Sequence, residues 1–355
     1  MARDVHSATD ELEAALLGGL RRFSAAVGEV GFPAVPGLLG HYVSVLDTLF
    51  GAVGRKLEPL ELERVRSAVQ QALSEAHESS PFSRISVKYK TLPRSKLGYK
   101  VIVQKSTAEV EYSRWVETRT PPFFGSHADA KARQLASSLG APSTVTILDA
   151  GAGTGRNTIP LAKLGFATDA VELAPPLLAV LRKDLELARL PQVRVFEGDL
   201  FEPSLALPRQ HYRLLLLAEV VSSHFTRLAQ LRQLFELAQE LLLPDGLLAF
   251  SVFLAVGEYI PSRVVRQLSQ AAWCSVFTRE ELAQAAQGLP FELLSDESVL
   301  EFERAHLPPD AWPPTGWFEQ WASGQDLFEM PGKQAPLELR WLVYRSTRSA
   351  TRQER

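Results

Sequence analysis

An aspartate that closes an apolar run and a glycine turn directly behind it carry the first chemistry: Val145-Thr-Ile-Leu-Asp149-Ala-Gly151-Ala-Gly153-Thr-Gly155-Arg156-Asn157. A buried strand running into such a turn lets backbone approach a ligand closely beside a helix N-terminus, as nucleotide-type ligands require. The spacing is G-x-G-x-G, and Arg156 stands where the dinucleotide fingerprint needs its third glycine. Asp149 would repel a diphosphate and suits a cationic ligand. Two further acids close the next strands. Glu172 sits where a carboxylate takes both hydroxyls of a ribose. Asp199, followed by Leu200 and Phe201, can accept from an adenine amino group while its neighbours touch the ring. Ammonium, ribose and adenine each find an acceptor.

In this order and spacing the residues resemble the class I S-adenosylmethionine-dependent methyltransferases, over roughly Val145 to Tyr344. The resemblance assigns cofactor binding to Asp149, Gly151, Gly153, Gly155 and Asn157 of the glycine motif, to Glu172 with Leu173, and to Asp199 with Leu200. Tyr212-Arg-Leu-Leu-Leu-Leu-Ala-Glu219-Val-Val-Ser222-Ser223-His224 looks like the family's fourth-strand motif, which adds Glu219. Leu243-Pro244-Asp245-Gly246 looks like the turn before its fifth strand. The fold implied is α/β, a Rossmann-like seven-stranded sheet of order 3-2-1-4-5-7-6 with the last strand antiparallel, preceded by an N-terminal helical domain with a β-hairpin. The cofactor implied is S-adenosyl-L-methionine, leaving S-adenosyl-L-homocysteine as product. No Asn-Pro-Pro-Tyr follows the fourth strand, and no paired-glutamate loop is present. Both absences set aside the amino-group methyltransferases of DNA and protein glutamine and those of protein arginine.

Ligands of an open α/β sheet lie outside the carboxyl ends of its strands. Residues after the fourth and fifth strands therefore face one cleft: Glu219, Ser223 and His224, then Tyr259. For a hydroxyl acceptor His224 is the best-placed general base, because its ordinary pKa is near neutrality, with Glu219 and Tyr259 in reserve. The insertion 307–336 carries Trp312, Trp317 and Trp321, which are expected to form an aromatic lid over the acceptor or else to pack on the sheet edge. The segment ahead of the fold brings Tyr112 and Trp115 as a second wall, and Arg119 to pair with the methionine carboxylate. No paired histidine spacing points to a metal. The favoured acceptor is an oxygen, nitrogen or carbon atom of a small aromatic or amphipathic metabolite, which suggests secondary metabolism. Alternatives are a peptide, a carrier protein or RNA held by the N-terminal domain, or a scaffold that binds the cofactor without catalysis.

The elements that must position these groups follow from hydropathy period. The first 80 residues repeat a three- or four-residue step through Leu12, Leu16, Leu20 and Phe23, then Leu39, Val43, Leu46 and Phe50, then Leu62, Val65, Val69 and Leu73, which predicts three helices. Ser7 and Asp10 resemble a capping pair, and Pro59 suits a first helical position. From Ser83 the period becomes two, predicting a hairpin turned between Pro93 and Gly98. That hairpin holds Arg84, Lys88, Lys90, Arg94, Lys96, Lys100 and Lys105, either a solvated face or a patch for an acidic partner. Strands are predicted at 144–149, 167–172, 193–198, 212–218, 247–254, 291–301 and 338–345, with helices between them. The expected domains are 1–106, a connecting segment 107–142 over the cofactor site, the catalytic domain 143–346 and a frayed tail 347–355.

The whole chain has 355 residues, 46% hydrophobic and 22% charged, with a net charge of -3. Those values fit a globular protein of about two domains with no general attraction to DNA or anionic lipid. Its one cysteine, Cys274, excludes an internal disulfide and reads as a buried, inert thiol of a reducing compartment. The N-terminus lacks an apolar signal region, and no apolar run approaches the roughly 20 residues a bilayer needs. A cytoplasmic protein is expected, with homodimerisation through the N-terminal helices an option.

Overall fold

The structure is a computed structural model that describes residues 25–93 and 96–348, together with 11–13, 15, 16, 19 and 23. The predicted first helix and its Ser7 and Asp10 cap, Arg94 of the hairpin turn and most of the 347–355 tail lie wholly or mostly outside the described residues. The chain divides into two compact units, Met1–Thr107 and Ala108–Arg355.

In the first unit, strand β1 (Ala26–Pro33) precedes helices α1 (Leu39–Ala52) and α2 (Pro59–Ser79), and strands β2 (Arg84–Thr91) and β3 (Gly98–Gln104) follow. Pro59 opens α2, and the Glu58 N–H behind it donates to Glu61 at 3.3 Å. The three strands form an antiparallel sheet in the order β1-β2-β3, with Phe32 opposite Ile85 and Val87 opposite Val101. The hairpin predicted from alternation is β2 and β3. Strand β1 is an addition, because its Gly28, Gly31 and Pro33 read in the sequence as a junction. Gly28 leaves room there for Tyr89: a Cβ would come within 2.4 Å of its hydroxyl across the sheet and the ring would have to shift. The helical stripe Tyr42, Leu46, Phe50, Val65, Val69 and Leu73 packs on Phe32, Ile85 and Val87 to form this unit's core. Lys88 pairs with Glu29 at 3.6 Å and Lys105 with Glu75 at 3.0 Å, so part of the basic face is neutralised locally.

The second unit begins with helices α3 (Ala108–Thr118) and α4 (Ala130–Ser138). Alternation then follows: β4 (Thr146–Ala150), α5 (Thr158–Lys163), β5 (Ala167–Glu172), α6 (Pro175–Leu187), β6 (Arg194–Glu197) and β7 (Tyr212–Leu217). After it come α7 (Val220–His224), α8 (Leu228–Leu241), β8 (Leu242–Ala255), α9 (Arg263–Ala271), β9 (Val276–Phe277) and α10 (Arg279–Ala286). The chain closes with β10 (Phe291–Ser298), α11 (Val299–His306), α12 (Phe318–Ala322) and β11 (Leu337–Ser346). The sheet runs β10-β11-β8-β7-β4-β5-β6, with β11 antiparallel to both neighbours and the short β9 pairing with β8. Read from β6 and numbered within this unit with the short β9 left out, that is the order 3-2-1-4-5-7-6.

The run Leu214 to Leu217 is apolar at every position because both faces of β7 are covered. Leu215 and Leu217 face a core with Phe235, Phe250 and Tyr344, whereas Leu214 and Leu216 face one with Ile147, Phe253 and Trp341. Two sequence boundaries shift. Residues 299–301 belong to α11 and not to a strand, because the Ser298 hydroxyl accepts from the Glu301 N–H at 3.3 Å and caps a helix. The Leu243 to Gly246 turn lies inside β8 as a bulge, since Tyr212 pairs with Leu242 and Leu214 with Leu247.

Candidate functional site

Strand β4 delivers Asp149 and Ala150 to a turn built on positive φ at Gly151 (+76°), Gly153 (+57°) and Gly155 (+92°). The Gly151 and Ala152 N–H groups donate to the Val171 carbonyl at 2.8 and 2.9 Å, tying the turn to the end of β5. A Cβ on Gly151 would lie 2.3 Å from the Val220 side chain of the segment after β7. Glycine therefore brings three strand ends together here.

The predicted acids converge on this turn. Asp149 is fully buried, accepts from the Thr158 hydroxyl at 2.6 Å and is pushed up to about 6 by burial, against the pull of Thr158 and Arg156. Glu172 accepts from the Gly153 and Ala174 N–H groups, both at 2.7 Å, and burial raises it while those bonds lower it. Glu219 follows β7 in a left-handed conformation, φ +62°, and its N–H donates to the Ser251 hydroxyl at 2.7 Å. A non-glycine residue held there carries backbone strain of about 1–3 kcal/mol, and such strain clusters at functional sites. Burial raises the Glu219 carboxyl, and the neighbouring Arg156 guanidinium opposes that rise. Asp199 is exposed beyond β6, accepting from the Phe201 N–H at 2.9 Å, with Leu200 half-buried beside it. Leu173 is 61% exposed, an apolar side chain left open next to Glu172.

A second cluster lies beyond these acids. The Tyr112 hydroxyl of α3 and His224 Nε2 of α7 share a hydrogen bond at 2.8 Å. Around them Trp115 and Trp273 each stand 5.3 Å from the Tyr112 ring and 5.3 Å from each other. Phe124 lies 6.4 Å from Tyr112 and would meet a Cβ on Gly153 at 3.6 Å, which sets this aromatic group directly over the glycine turn. Burial drives the His224 pKa down to about 4 and raises Tyr112, to which Glu172 and Glu219 add. The imidazole is therefore neutral at ordinary pH. The Ser223 hydroxyl donates to the Trp273 carbonyl at 3.4 Å.

Other candidates go elsewhere. Arg119 covers the Trp115 ring at 4.3 Å, a cation–π contact. Tyr259 packs edge-on to Phe328 at 6.1 Å, away from His224 in the contacts it makes. Trp312 stands 5.8 Å from Phe318, Trp317 stands 5.6 Å from Trp321, and Phe318 and Trp321 are buried in the sheet's second core. The insertion 307–336 thus covers the sheet with its indoles, and only Trp321 reaches the site, donating its N–H to the Trp273 carbonyl at 3.1 Å. Asn157 spends both amide groups on Asp129, at 2.9 Å each. Cys274 is buried and its thiol pushed up to about 12, as an inert thiol requires.

Four residues of the site were not picked out by sequence. Arg156, the departure from the dinucleotide pattern, is buried and pairs with Asp129 and, at 2.7 Å, with Glu219. Asp129 precedes α4 at its N-cap position, and the first-turn N–H groups donate to Glu303 and not to its carboxylate. Trp273 reaches the aromatic cluster through a left-handed backbone, φ +57°, which no local residue pattern signals. Phe124 sits in an irregular stretch.

Residues 147–246 match the family of the methyltransferase domain. No curated protein matches the chain. Among solved structures, the geranyl diphosphate C-methyltransferase from Streptomyces coelicolor A3(2), in complex with Mg2+, geranyl-S-thiolodiphosphate and S-adenosyl-L-homocysteine, is 14% identical, with a TM-score of 0.50 over 68% of this chain and 99% of that one. The StiE O-MT segment is 17% identical, with a TM-score of 0.43 over 61% of this chain and 73% of that one. At such an identity the first of these likenesses bears on fold alone. The matched domain spans β4 to the beginning of β8 within the seven-stranded order, with an acid at each of the strand ends that face the turn, so this part of the chain is a methyltransferase domain, as the resemblance of its glycine motif and strand-end acids implied.

Proposed function

We propose that the chain methylates an oxygen, nitrogen or carbon atom of a small aromatic or amphipathic metabolite, and that the acceptor meets the aromatic cluster of Tyr112, Trp115, Phe124 and Trp273 beside His224. The observation that carries this reading is the Tyr112 to His224 hydrogen bond, 2.8 Å long and enclosed by those rings next to the acid-lined turn. The cofactor fits the residues present. Asp129, Asp149, Glu172 and Glu219 gather about the turn with Arg156 between two of them, and the remaining negative charge suits a ligand bearing an ammonium and a sulfonium. Asp149 would hold the ammonium side, Glu172 the ribose, and Asp199 with Leu200 and Leu173 the adenine.

S-adenosylmethionine supplies, when bound, a methyl group made electrophilic by the sulfonium. The protein's share is alignment and dryness: positioning alone is worth roughly 7–11 kcal/mol where two reactants are held in near-attack geometry. The half-buried rings limit the access of water, and His224, kept neutral by burial, is the candidate base for a hydroxyl acceptor, whose proton reaches Nε2 as the hydrogen bond to Tyr112 is given up. Tyr112 holds its own proton because burial and the nearby acids disfavour a phenolate. Tyr259 and Ser223 have no such arrangement with His224.

A second reading rests on the first unit, where Lys88, Lys90 and Lys100 stand exposed with Glu29 around a shallow hollow of about 630 Å³. It makes that sheet the holder of an acidic peptide, a carrier protein or RNA whose attached group is methylated. Mass spectrometry of an extract incubated with the full chain and isotope-labelled methyl donor tests both. A labelled small molecule supports the first reading, label on a macromolecule supports the second, and tight cofactor binding without any labelled product makes the chain a scaffold.

A further inference from the structure

The buried guanidinium of Arg156 has one arm on Asp129 and the other on Glu219, 2.7 Å away. Asp129 is fixed in turn by both amide groups of Asn157, and the first N–H groups of α4 are held by Glu303 at 2.6 and 3.1 Å. Glu303 also accepts from the Trp341 indole at 3.0 Å, on the central face of β11. The clamp thus runs from the sheet, through the start of α4, to the segment after β7. Glu219 is the far end of that chain and sits in strained backbone, so something other than local preference must hold its carboxylate in place.

We propose that Arg156 is a positioning residue: braced by Asp129, it fixes the Glu219 carboxylate beside the glycine turn and thereby sets how strongly the site takes the cationic end of the cofactor. The proposal rests on the cofactor reading above. An arginine suits the task because its planar fork reaches two carboxylates at once, which a lysine ammonium does less well. Charge reinforces geometry. The groups facing Glu219 are Arg156 from the turn, Asp129 from before α4 and Tyr112 from α3, with Asp149 and Glu303 bearing on the same pair. Without the guanidinium, burial and Asp129 both favour the protonated Glu219, which has no charge to offer an ammonium.

The test is calorimetric titration of S-adenosylhomocysteine into the full chain from about pH 6 to about pH 8.5, a window that covers raised carboxyls. The variants are Arg156→Gln, Glu219→Gln and the double variant, each checked by circular dichroism. Arg156→Gln should bind about 10- to 100-fold more weakly near neutrality, the scale of one charge-assisted contact. Its affinity should recover as the pH rises and Glu219 ionises. The double variant should follow Glu219→Gln alone. Wild-type affinity in Arg156→Gln overturns the proposal. So does an equal loss at every pH, which is a structural defect, or a pH shift that persists in the double variant, which places the effect on Asp149. If Arg156→Gln does not fold, Arg156→Lys carries the test: it should lose affinity by a smaller factor with little pH shift, and wild-type affinity there overturns the clamp. A wild-type chain that does not bind S-adenosylhomocysteine is seen before any variant and removes the cofactor reading together with this one.

Discussion

The Tyr112 hydroxyl and His224 Nε2 stand 2.8 Å apart, joining the helix that precedes the sheet to the short helix that follows β7. Both residues are half-buried and both groups are neutral, His224 with its pKa near 4 and Tyr112 raised above the ordinary phenol. The pair therefore carries no charge at ordinary pH, with one proton shared between the phenol oxygen and Nε2.

His224→Gln keeps polarity at this place and removes the base. With a hydroxyl acceptor, kcat should fall by about 10²–10⁴, the usual worth of general base catalysis, while cofactor affinity stays near wild type. Steady-state kinetics joined to S-adenosylhomocysteine titration separates the two. An unchanged kcat assigns His224 to packing alone.

Asp149 predicts how binding depends on pH. Its folded-state pKa of about 6 lies above the ordinary carboxyl value, so the folded apo chain holds a proton there that the unfolded chain has already released. That contribution to stability is fully present below the unfolded value near 4 and is lost as pH rises through about 6. A cationic ligand reverses the preference and expels the proton. Titrations near pH 6 in buffers of different ionisation enthalpy should show proton release on binding and an affinity that rises with pH, and Asp149→Asn should abolish both.

Gly151→Ala tests the turn. The site combines φ +76° with a 2.3 Å approach to Val220, whereas Gly257 has φ +58° and nothing within 4 Å of a Cβ. Each substitution carries roughly 1–3 kcal/mol of backbone strain. Only Gly151→Ala adds the clash, so its thermal midpoint should fall further and its cofactor affinity should drop, while Gly257→Ala binds normally.

How far sequence could be read is seen in particular residues. The order of the seven strands follows from alternation and from the family resemblance, since apolar runs such as Leu214 to Leu217 have no other use than two-faced burial. Glu172 was legible as an acid closing a strand. Arg156 and Asp129 were not, because an ion pair between residues 27 apart leaves no local pattern. Trp273 depends on a left-handed backbone at a position where sequence offers no glycine or asparagine. The tryptophans of 307–336 could be read as lid or core, as composition does not say which way an indole faces.

The indole of Trp321 decides between those two uses. It is 5% exposed and donates to the Trp273 carbonyl at 3.1 Å. Trp321→Phe removes that donor and leaves the Trp273 carbonyl only the longer bond from the Ser223 hydroxyl, a loss of roughly 1 kcal/mol. Thermal unfolding should show the loss, and cofactor affinity should remain that of the wild type. A stable variant with altered acceptor KM would return Trp321 to the substrate wall.

The central claim is that the acid-lined glycine turn takes S-adenosylmethionine. Calorimetric titration of S-adenosylhomocysteine into the full chain at about neutral pH, beside Asp149→Asn, tests it most directly. One-to-one binding is predicted for the wild type, weakened about 10- to 100-fold in the variant, the scale of a lost charge-assisted contact. No heat of binding in a folded wild-type chain, or equal affinity in a folded Asp149→Asn variant, would contradict it.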